Sequence, residues 1–161
     1  MTKSFLFFFV HPAKFHLFKN TINKLKEDGH KVDVLIISKD VLEDLIKGEG
    51  WEYQNLFPKG RKIKFLPSKL VAVFSAFLTI LKLFWFLMFK KRYNKFITDD
   101  ILVFPGFFLR VPTYIFIDND YETLSFGKYL LFFASKVIAP NSTNLGKYNK
   151  KKISFKGNKA I

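Results

Sequence analysis

The sequence predicts an α/β fold, a Rossmann-like parallel sheet flanked by helices, and three observations carry this prediction. Apolar runs without alternation, at residues 5–10 and 32–37, are typical of strands buried on both faces. Between them, apolar residues recur at helical spacing from Phe15 to Leu25. Strands that alternate with helices along a chain form parallel sheets through right-handed crossovers.

Each element has a residue that ends it or begins the next. His11 and Pro12 end the first strand, Gly29 suits the left-handed end of the helix that follows, and Ser38 can cap the next helix. The remaining predicted elements are a helix over 39–47, a strand over 51–57, a turn at 58–60, a long helix from 67 to 93, strands over 101–104 and 114–117, a helix over 129–133, and strands over 137–139 and 153–155.

Composition limits the classes of function. The 161 residues suit one domain, which we expect to span residues 1–146, with a basic tail or linker over 147–161. The chain has no cysteine, which excludes disulfides, thiolate metal sites and a cysteine nucleophile. The net charge of +14 attracts anions such as nucleotide phosphates, nucleic acid or an anionic membrane, although lysines at solvated positions would give the same charge. The N-terminal apolar run is too short for a secretory signal.

Residues 70–89 contain one charge, Lys82, and about 20 apolar residues are long enough to span a bilayer. Ser75, Thr79 and Lys82 form a polar stripe along one helix face. Three interpretations stay open: a helix at the membrane interface, an ordinary buried crossover helix, and a true span. We favour the first. The predicted membrane contacts are Phe84, Trp85, Lys90, Lys91 and Arg92, with Phe86 as a further anchor.

The first candidate site is the turn after strand one. His11 could act as a general base or donate to a sugar hydroxyl, Pro12 fixes the entry to the helix, and Ala13 leaves room for close approach. His16 and Asn20 share one helix face and are further candidates for substrate binding. The alternative is that His11 caps the helix and His16 is a surface residue.

The second candidate site follows the predicted strand over 114–117. Asp118 and Asp120 could act as base, bind a metal or hold sugar hydroxyls together with Asn119, or they could form a turn that caps the next segment. Asp99 and Asp100 precede a predicted strand, which would place them at the opposite edge of the sheet.

The third candidate site is the loop at Asn141 and Ser142, after the strand over 137–139. The sequence contains neither a glycine-rich phosphate loop nor histidines and carboxylates at metal-ligand spacing, so we expect no resident metal or cofactor.

The opening strand is followed by His11-Pro12-Ala13-Lys14-Phe15-His16, Asn20, and a helix ending in Gly29-His30. With these motifs the sequence resembles a family related to UDP-N-acetylglucosamine 2-epimerases and GT-B glycosyltransferases. The resemblance extends more loosely to Asp118 to Asp120, Pro140-Asn141 and the segment 155–159.

This resemblance implies the N-terminal half of a GT-B architecture, with His11, Asp118 and Asp120 as catalytic residues. A sugar nucleotide would be substrate and would be held mainly by a C-terminal domain or partner chain, so we expect the chain to be inactive alone, as a fragment or truncated gene product. The implied acceptor is an envelope glycan or lipid-linked sugar, at the cytoplasmic face of the inner membrane. The alternative is a non-catalytic basic module that binds the membrane surface. Nucleic acid is not an expected partner, because apolar helices interrupt the basic runs.

Overall fold

The computed structural model describes residues 1–37, 41–58, 68–90 and 92–156. Several predicted features lie outside these residues: the cap at Ser38, most of the turn at 58–60, the membrane contact at Lys91, and most of the segment 155–159.

Seven parallel strands form one sheet in the order β3-β2-β1-β4-β5-β6-β7. The strands are β1 (Ser4–Phe9), β2 (Lys31–Ile36), β3 (Gln54–Asn55), β4 (Lys95–Thr98), β5 (Thr113–Phe116), β6 (Lys136–Pro140) and β7 (Lys152–Phe155). The chain runs outward from β1 to β3, crosses back to β4, and runs outward again to β7. The predicted fold class, a Rossmann-like sheet, is therefore confirmed.

In the described part of the chain, five α-helices connect the strands: α1 (Pro12–Glu27), α2 (Val41–Gly48), α3 (Ser68–Met88), α4 (Val103–Phe108) and α5 (Gly127–Phe133). Residues on alternate positions of β1 belong to different cores: Phe7 packs with residues of α1 and α2, and Phe8 packs with residues of α3, α4 and α5. Both phenylalanines are fully buried, which is why the run is apolar without alternation.

The strand predicted over 101–104 is wrong. The nearest strand is β4, which lies six residues earlier in the chain, and helix α4 begins at Val103. A short apolar run does not distinguish a buried strand from a buried helix. Gly106 lets α4 lie against the sheet, because a Cβ there would stand 1.9 Å from the Thr113 hydroxyl oxygen. Asp99 and Asp100 therefore follow a strand, and the prediction that placed them at the opposite edge is also wrong.

Three other elements differ in extent from the prediction. The third strand has only two residues, and α3 ends at Met88. Strand β7 pairs in parallel with β6, so the sheet continues beyond residue 146, where we expected the domain to end. Gly29 takes the expected left-handed conformation, with φ of 76°, directly after α1.

Helix α3 turns its polar stripe toward the protein. Ser75 and Thr79 are buried, and the Thr79 hydroxyl donates to the Ser75 carbonyl oxygen at 2.7 Å. The Lys82 ammonium donates to the carbonyl oxygen of Leu56 at 2.8 Å. Phe86 is buried on this inner face, so its expected role as a membrane anchor is wrong.

The outer face of α3 is apolar and exposed. Residues Leu70–Met88 have a mean hydropathy of 2.2 with 17% of the segment buried, and their length and composition are sufficient to cross a membrane. The core helix of a soluble protein can have the same length and composition, but such a helix is mostly buried. On the outer face of α3, by contrast, Trp85 is 69% exposed.

Candidate functional site

Polar side chains meet at the carboxyl edge of the sheet. Because the strands are parallel, the residues that follow β1, β4, β5 and β6 come to the same edge. They include Lys14 in the first turn of α1, Asp99 after β4 and Asp118 after β5. This is the edge at which open α/β sheets bind ligands.

Lys14 is the cation of this site. Its ammonium donates to the Asp118 carboxylate at 3.1 Å and lies 4.5 Å from the ring centroid of Phe116. Both charged side chains of the pair are largely buried, which strengthens their attraction relative to a pair on the surface. Helix α1 places Lys14 there because its first turn begins at the end of β1.

Asp99 is a carboxyl group of the site with a raised pKa. Its Oδ1 atom is shielded from solvent and has no hydrogen-bond partner in the described part of the chain. Burial, and then the neighbouring Asp100 carboxylate, raise the pKa of Asp99 to about 7, while the Lys14 ammonium lowers it. A carboxyl group with a pKa near neutrality can hold or accept a proton at physiological pH.

His11 caps helix α1. Its Nδ1 atom accepts a hydrogen bond from the backbone N–H of Ala13 at 3.3 Å, and Pro12 occupies the first position of the helix. A neutral imidazole that accepts at Nδ1 carries its proton on Nε2. His11 in this arrangement is therefore suited to donate to a hydroxyl group, and less suited to remove a proton.

His16 and Asn20 are exposed on α1 and lie progressively further from the edge. Asn20 is about 12 Å along the helix axis from Pro12, at 1.5 Å per residue. The structure does not bring Asn20 together with Lys14, Asp99 and Asp118.

Asp120 holds two loops together. Its carboxylate accepts the backbone N–H of Asn144 at 2.7 Å, and its carbonyl oxygen accepts the Thr123 hydroxyl at 2.8 Å. The loop after β6 is tied to the same region by the Thr143 hydroxyl, which donates to the Asp118 carbonyl oxygen at 3.2 Å. These contacts give Asp120 the turn-forming role that the sequence left open beside the catalytic one.

The other predicted substrate contacts occupy the rim of this edge. Asn119, Asn141 and Ser142 are exposed, and the backbone N–H of Asn141 donates to the Phe155 carbonyl oxygen at 3.1 Å. No group of three or more metal-ligating side chains lies together within the described ranges.

Sequence reasoning missed the two residues on which the site is centred. Lys14 stands inside the opening motif, where its signal is only its position one helical turn past the strand. Asp99 was assigned to the wrong edge because β4 was placed too late in the chain. A strand at Lys95–Thr98 would have identified it.

The predicted membrane contacts lie at the end of α3. Trp85 is exposed and its ring lies 4.9 Å from that of Phe89, while Phe84 is partly buried and lies 6.2 Å from the ring of Phe108. The Lys90 ammonium lies 5.3 Å from the centroid of the buried Phe86 ring, and Arg92 is exposed.

Comparisons with known proteins bear on the fold. No family model matches the chain, and no curated protein matches it. Among solved structures, the chain is similar to MurG from Acinetobacter baumannii, with a TM-score of 0.63 and 13% identity over 89% of this chain and 43% of that one. It is also similar to Anabaena Alr3699/HepE, solved in complex with UDP and glucose, with a TM-score of 0.54 and 16% identity over 96% of this chain and 44% of that one.

Both of these proteins are GT-B glycosyltransferases, and the chain spans less than half the length of either. At these identities the likeness concerns the fold. The chain therefore has a Rossmann-like α/β fold, similar to the part of each of these structures that it covers.

Proposed function

We propose that this chain is the acceptor-binding half of a GT-B-type glycosyltransferase, with the acceptor at the carboxyl edge of the sheet. One observation carries the proposal: the Asp99 carboxyl group, whose shielded Oδ1 atom has no hydrogen-bond partner among the described residues, lies at this edge beside the Lys14–Asp118 ion pair. The sugar nucleotide would bind mainly to a second domain or to a partner chain.

The cluster supports the chemistry that an acceptor hydroxyl requires. A hydroxyl that attacks a sugar carbon must lose its proton, and a carboxylate with a pKa of about 7, such as that of Asp99, can accept it. Asp118 can accept hydrogen bonds from neighbouring hydroxyls while its ion pair with Lys14 holds the carboxylate in place. The Nε2–H group of His11 can donate a hydrogen bond to another oxygen atom of the bound acceptor molecule.

These assignments revise the roles of the predicted catalytic residues. His11 and Asp118 stay in the site as hydrogen-bonding residues, whereas Asp120 acts on the loop beneath it. Epimerase-like chemistry on a sugar nucleotide is the alternative use of the same edge. It differs in requiring the nucleotide, and not a free acceptor, to occupy the site.

Binding to isotopically labelled protein tests the proposal. Chemical shifts would be followed while N-acetylglucosamine, glucose or UDP is added to the chain and to Lys14→Met, with Lys31→Met as a control that removes an exposed cation at the amino end of β2. We expect sugars to perturb the backbone signals of His11, Asp99 and Asp118 in the parent chain and the control, but not in Lys14→Met. Shifts confined to other surfaces, or equal in both variants, contradict the proposal. UDP alone at this edge favours epimerase-like chemistry.

The second candidate function is a non-catalytic module that binds an anionic membrane surface at the cytoplasmic face. It is favoured by the exposed apolar face of α3, on which Val73, Phe77 and Trp85 are each more than half exposed. Flotation with phosphatidylglycerol vesicles, lost when Phe77 and Trp85 are replaced by serine, together with no sugar or nucleotide binding, would support this function over the first.

A further inference from the structure

A cavity of about 720 Å³ opens at the amino edge of the sheet, between the end of α3 and the end of α4. Three cationic side chains contribute to its wall: Lys90, Arg92 and Arg110. None of its lining residues is acidic. Asp33, which contacts the lining residue Tyr93, accepts the hydrogen bond of the Tyr93 hydroxyl at 2.6 Å.

The three cations have no ion-pair partner among residues 1–37, 41–58, 68–90 and 92–156. Like charges that share a cavity repel one another, and a bound anion would remove this repulsion. Guanidinium groups are well suited to a phosphate, because their fork of N–H donors matches its oxygens.

Arg110 adopts a backbone conformation that favours glycine. Its φ is 56°, and it is the only described residue other than glycine with a positive φ. It follows the last turn of α4, where the N–H of Val111 donates to the Gly106 carbonyl oxygen at 2.9 Å in the usual closing pattern of a helix. Glycine would adopt this conformation with less strain, so the geometry of the turn gives no reason for an arginine at this position.

The cavity is bordered by exposed apolar side chains. Met88 and Phe89 lie at the end of α3, and Phe107, Phe108 and Leu109 lie at the end of α4. This surface continues onto α5, where Phe126, Tyr129 and Phe132 are each more than half exposed. The helices α3, α4 and α5 pack on one face of the sheet and are called the α3–α5 layer. This layer carries most of the exposed large apolar side chains of the described residues. A contiguous patch of this kind marks an interaction surface.

Charge indicates the occupant of this surface. The segments that contain α3, α4 and α5, residues 68–90, 101–112 and 124–135, contain lysine and arginine but no aspartate or glutamate. On the opposite layer, α1 and α2 carry acidic residues, including Glu27, Glu43 and Asp44. A second copy of this chain would present the same cations and would be repelled, whereas an anionic bilayer offers phosphates beside an apolar interior.

We propose that Lys90, Arg92 and Arg110 bind the phosphate of an anionic phospholipid, while the neighbouring aromatic side chains of the α3–α5 layer enter the membrane interface. The site goes beyond acceptor binding and rests on the proposed membrane association. Arg110 is the residue that this inference adds to the contacts predicted from the sequence.

Vesicle partitioning of the full chain tests the site. Arg110→Gly removes the guanidinium and at the same time relieves the backbone, so a loss of binding cannot be attributed to unfolding. Arg92→Gln is a second site variant, and Lys31→Gln is a control that removes an exposed cation outside the site. Co-sedimentation would be measured with vesicles of phosphatidylcholine alone and with vesicles that also contain phosphatidylglycerol.

We expect each site variant to bind phosphatidylglycerol vesicles about fivefold more weakly, which corresponds to the contribution of about 1 kcal/mol from one basic residue at an anionic surface. Lys31→Gln is expected to bind as the parent chain does. Lipids with brominated chains are expected to quench the exposed Trp85 and not the buried Trp51, and less so in Arg110→Gly.

Other outcomes overturn the proposal in distinguishable ways. Vesicle binding that is equal in the parent chain, Arg110→Gly and Arg92→Gln rejects the site while leaving membrane association in place. Inorganic phosphate that binds with the same dependence on Arg110 when vesicles do not bind identifies a soluble phosphate ligand and rejects the lipid. Sugar-induced shifts at Asp99 are expected to be unchanged in Arg110→Gly, so failure of this site does not affect the test of acceptor binding.

Discussion

Replacing Asp99 by asparagine is expected to stabilise the fold at neutral and alkaline pH and to leave it unchanged in acid. The carboxyl group is shielded and one of its oxygens has no partner in the described part of the chain, so its ionisation disfavours the folded state. Asparagine has nearly the same shape and carries no charge at any pH.

The pKa of Asp99 sets the size of the effect and its pH range. It rises from 3.8 in the unfolded chain to about 7 in the fold. Below pH 3.8 the carboxyl group is protonated in both the folded and the unfolded chain, so it does not change the free energy of unfolding. Between the two values only the unfolded chain ionises, so the free energy of unfolding falls as pH rises, and above about 7 the loss is constant. A gap of about three pH units corresponds to at most about 4 kcal/mol.

Urea denaturation at a series of pH values checks this reasoning. Relative to the parent chain, Asp99→Asn is expected to gain about 2–4 kcal/mol near pH 8 and less than about 1 kcal/mol near pH 4. Glu122→Gln, which removes an exposed carboxylate, is the control and is expected to show no such divergence. A difference between Asp99→Asn and the parent chain that does not change with pH would refute the argument.

Three further predictions follow from contacts in the same structure. Lys14→Met is expected to raise the pKa of Asp99 further, because the Lys14 ammonium lowers it; the stability loss in the same titration would then extend to higher pH. Gly106→Ala is expected to destabilise the fold by about 2 kcal/mol or more in thermal unfolding, because its Cβ would meet the β5 threonine, whereas Gly48→Ala has open space and is expected to be nearly neutral. Asp120→Ala is expected to cost about 0.5–1.5 kcal/mol by removing the hydrogen bond to the backbone N–H of Asn144, and Asp120→Asn, which keeps an acceptor oxygen, is expected to recover most of it.

The elements that could be predicted are those whose apolar pattern has one explanation. The run at residues 5–10 is followed directly by Pro12 and a helix with a clear period, so it is too short to form a helix of its own, and its residues 5–9 are buried in a strand. Helix α1 has a clear period, and its two ends are defined by Pro12 and Gly29. These are local signals, and they were sufficient for the fold class.

Strand β4 was missed, and the start of helix α4 was predicted as a strand, because the sequence signal favoured the wrong segment. Residues 101–104 are all apolar, whereas β4 begins with Lys95, which lies at the edge of the sheet with its ammonium 4.7 Å from the Tyr114 ring centroid. Only the tertiary packing of α4, through Gly106, decides which segment is the strand. Asp99 was assigned to the opposite edge of the sheet because the strand had been placed after it and not before it.

The direction of the polar stripe on α3 could not be read from its spacing. Periodicity identifies a face but not what covers it. The polar stripe can face inward because the Thr79 hydroxyl donates to a carbonyl oxygen of its own helix and the Lys82 ammonium donates to the carbonyl oxygen of Leu56. The apolar face is consequently the outer one.

Strand β4 separates the two charged regions of the molecule. Arg92 precedes the strand and Asp99 follows it, and four extended residues with their flanks span about 15 Å. A phospholipid whose phosphate is held at Arg92 and Arg110 therefore cannot offer its own headgroup hydroxyls to Asp99. The lipid would attach the protein to the membrane, and the acceptor would be a different molecule that binds at the opposite end of the sheet.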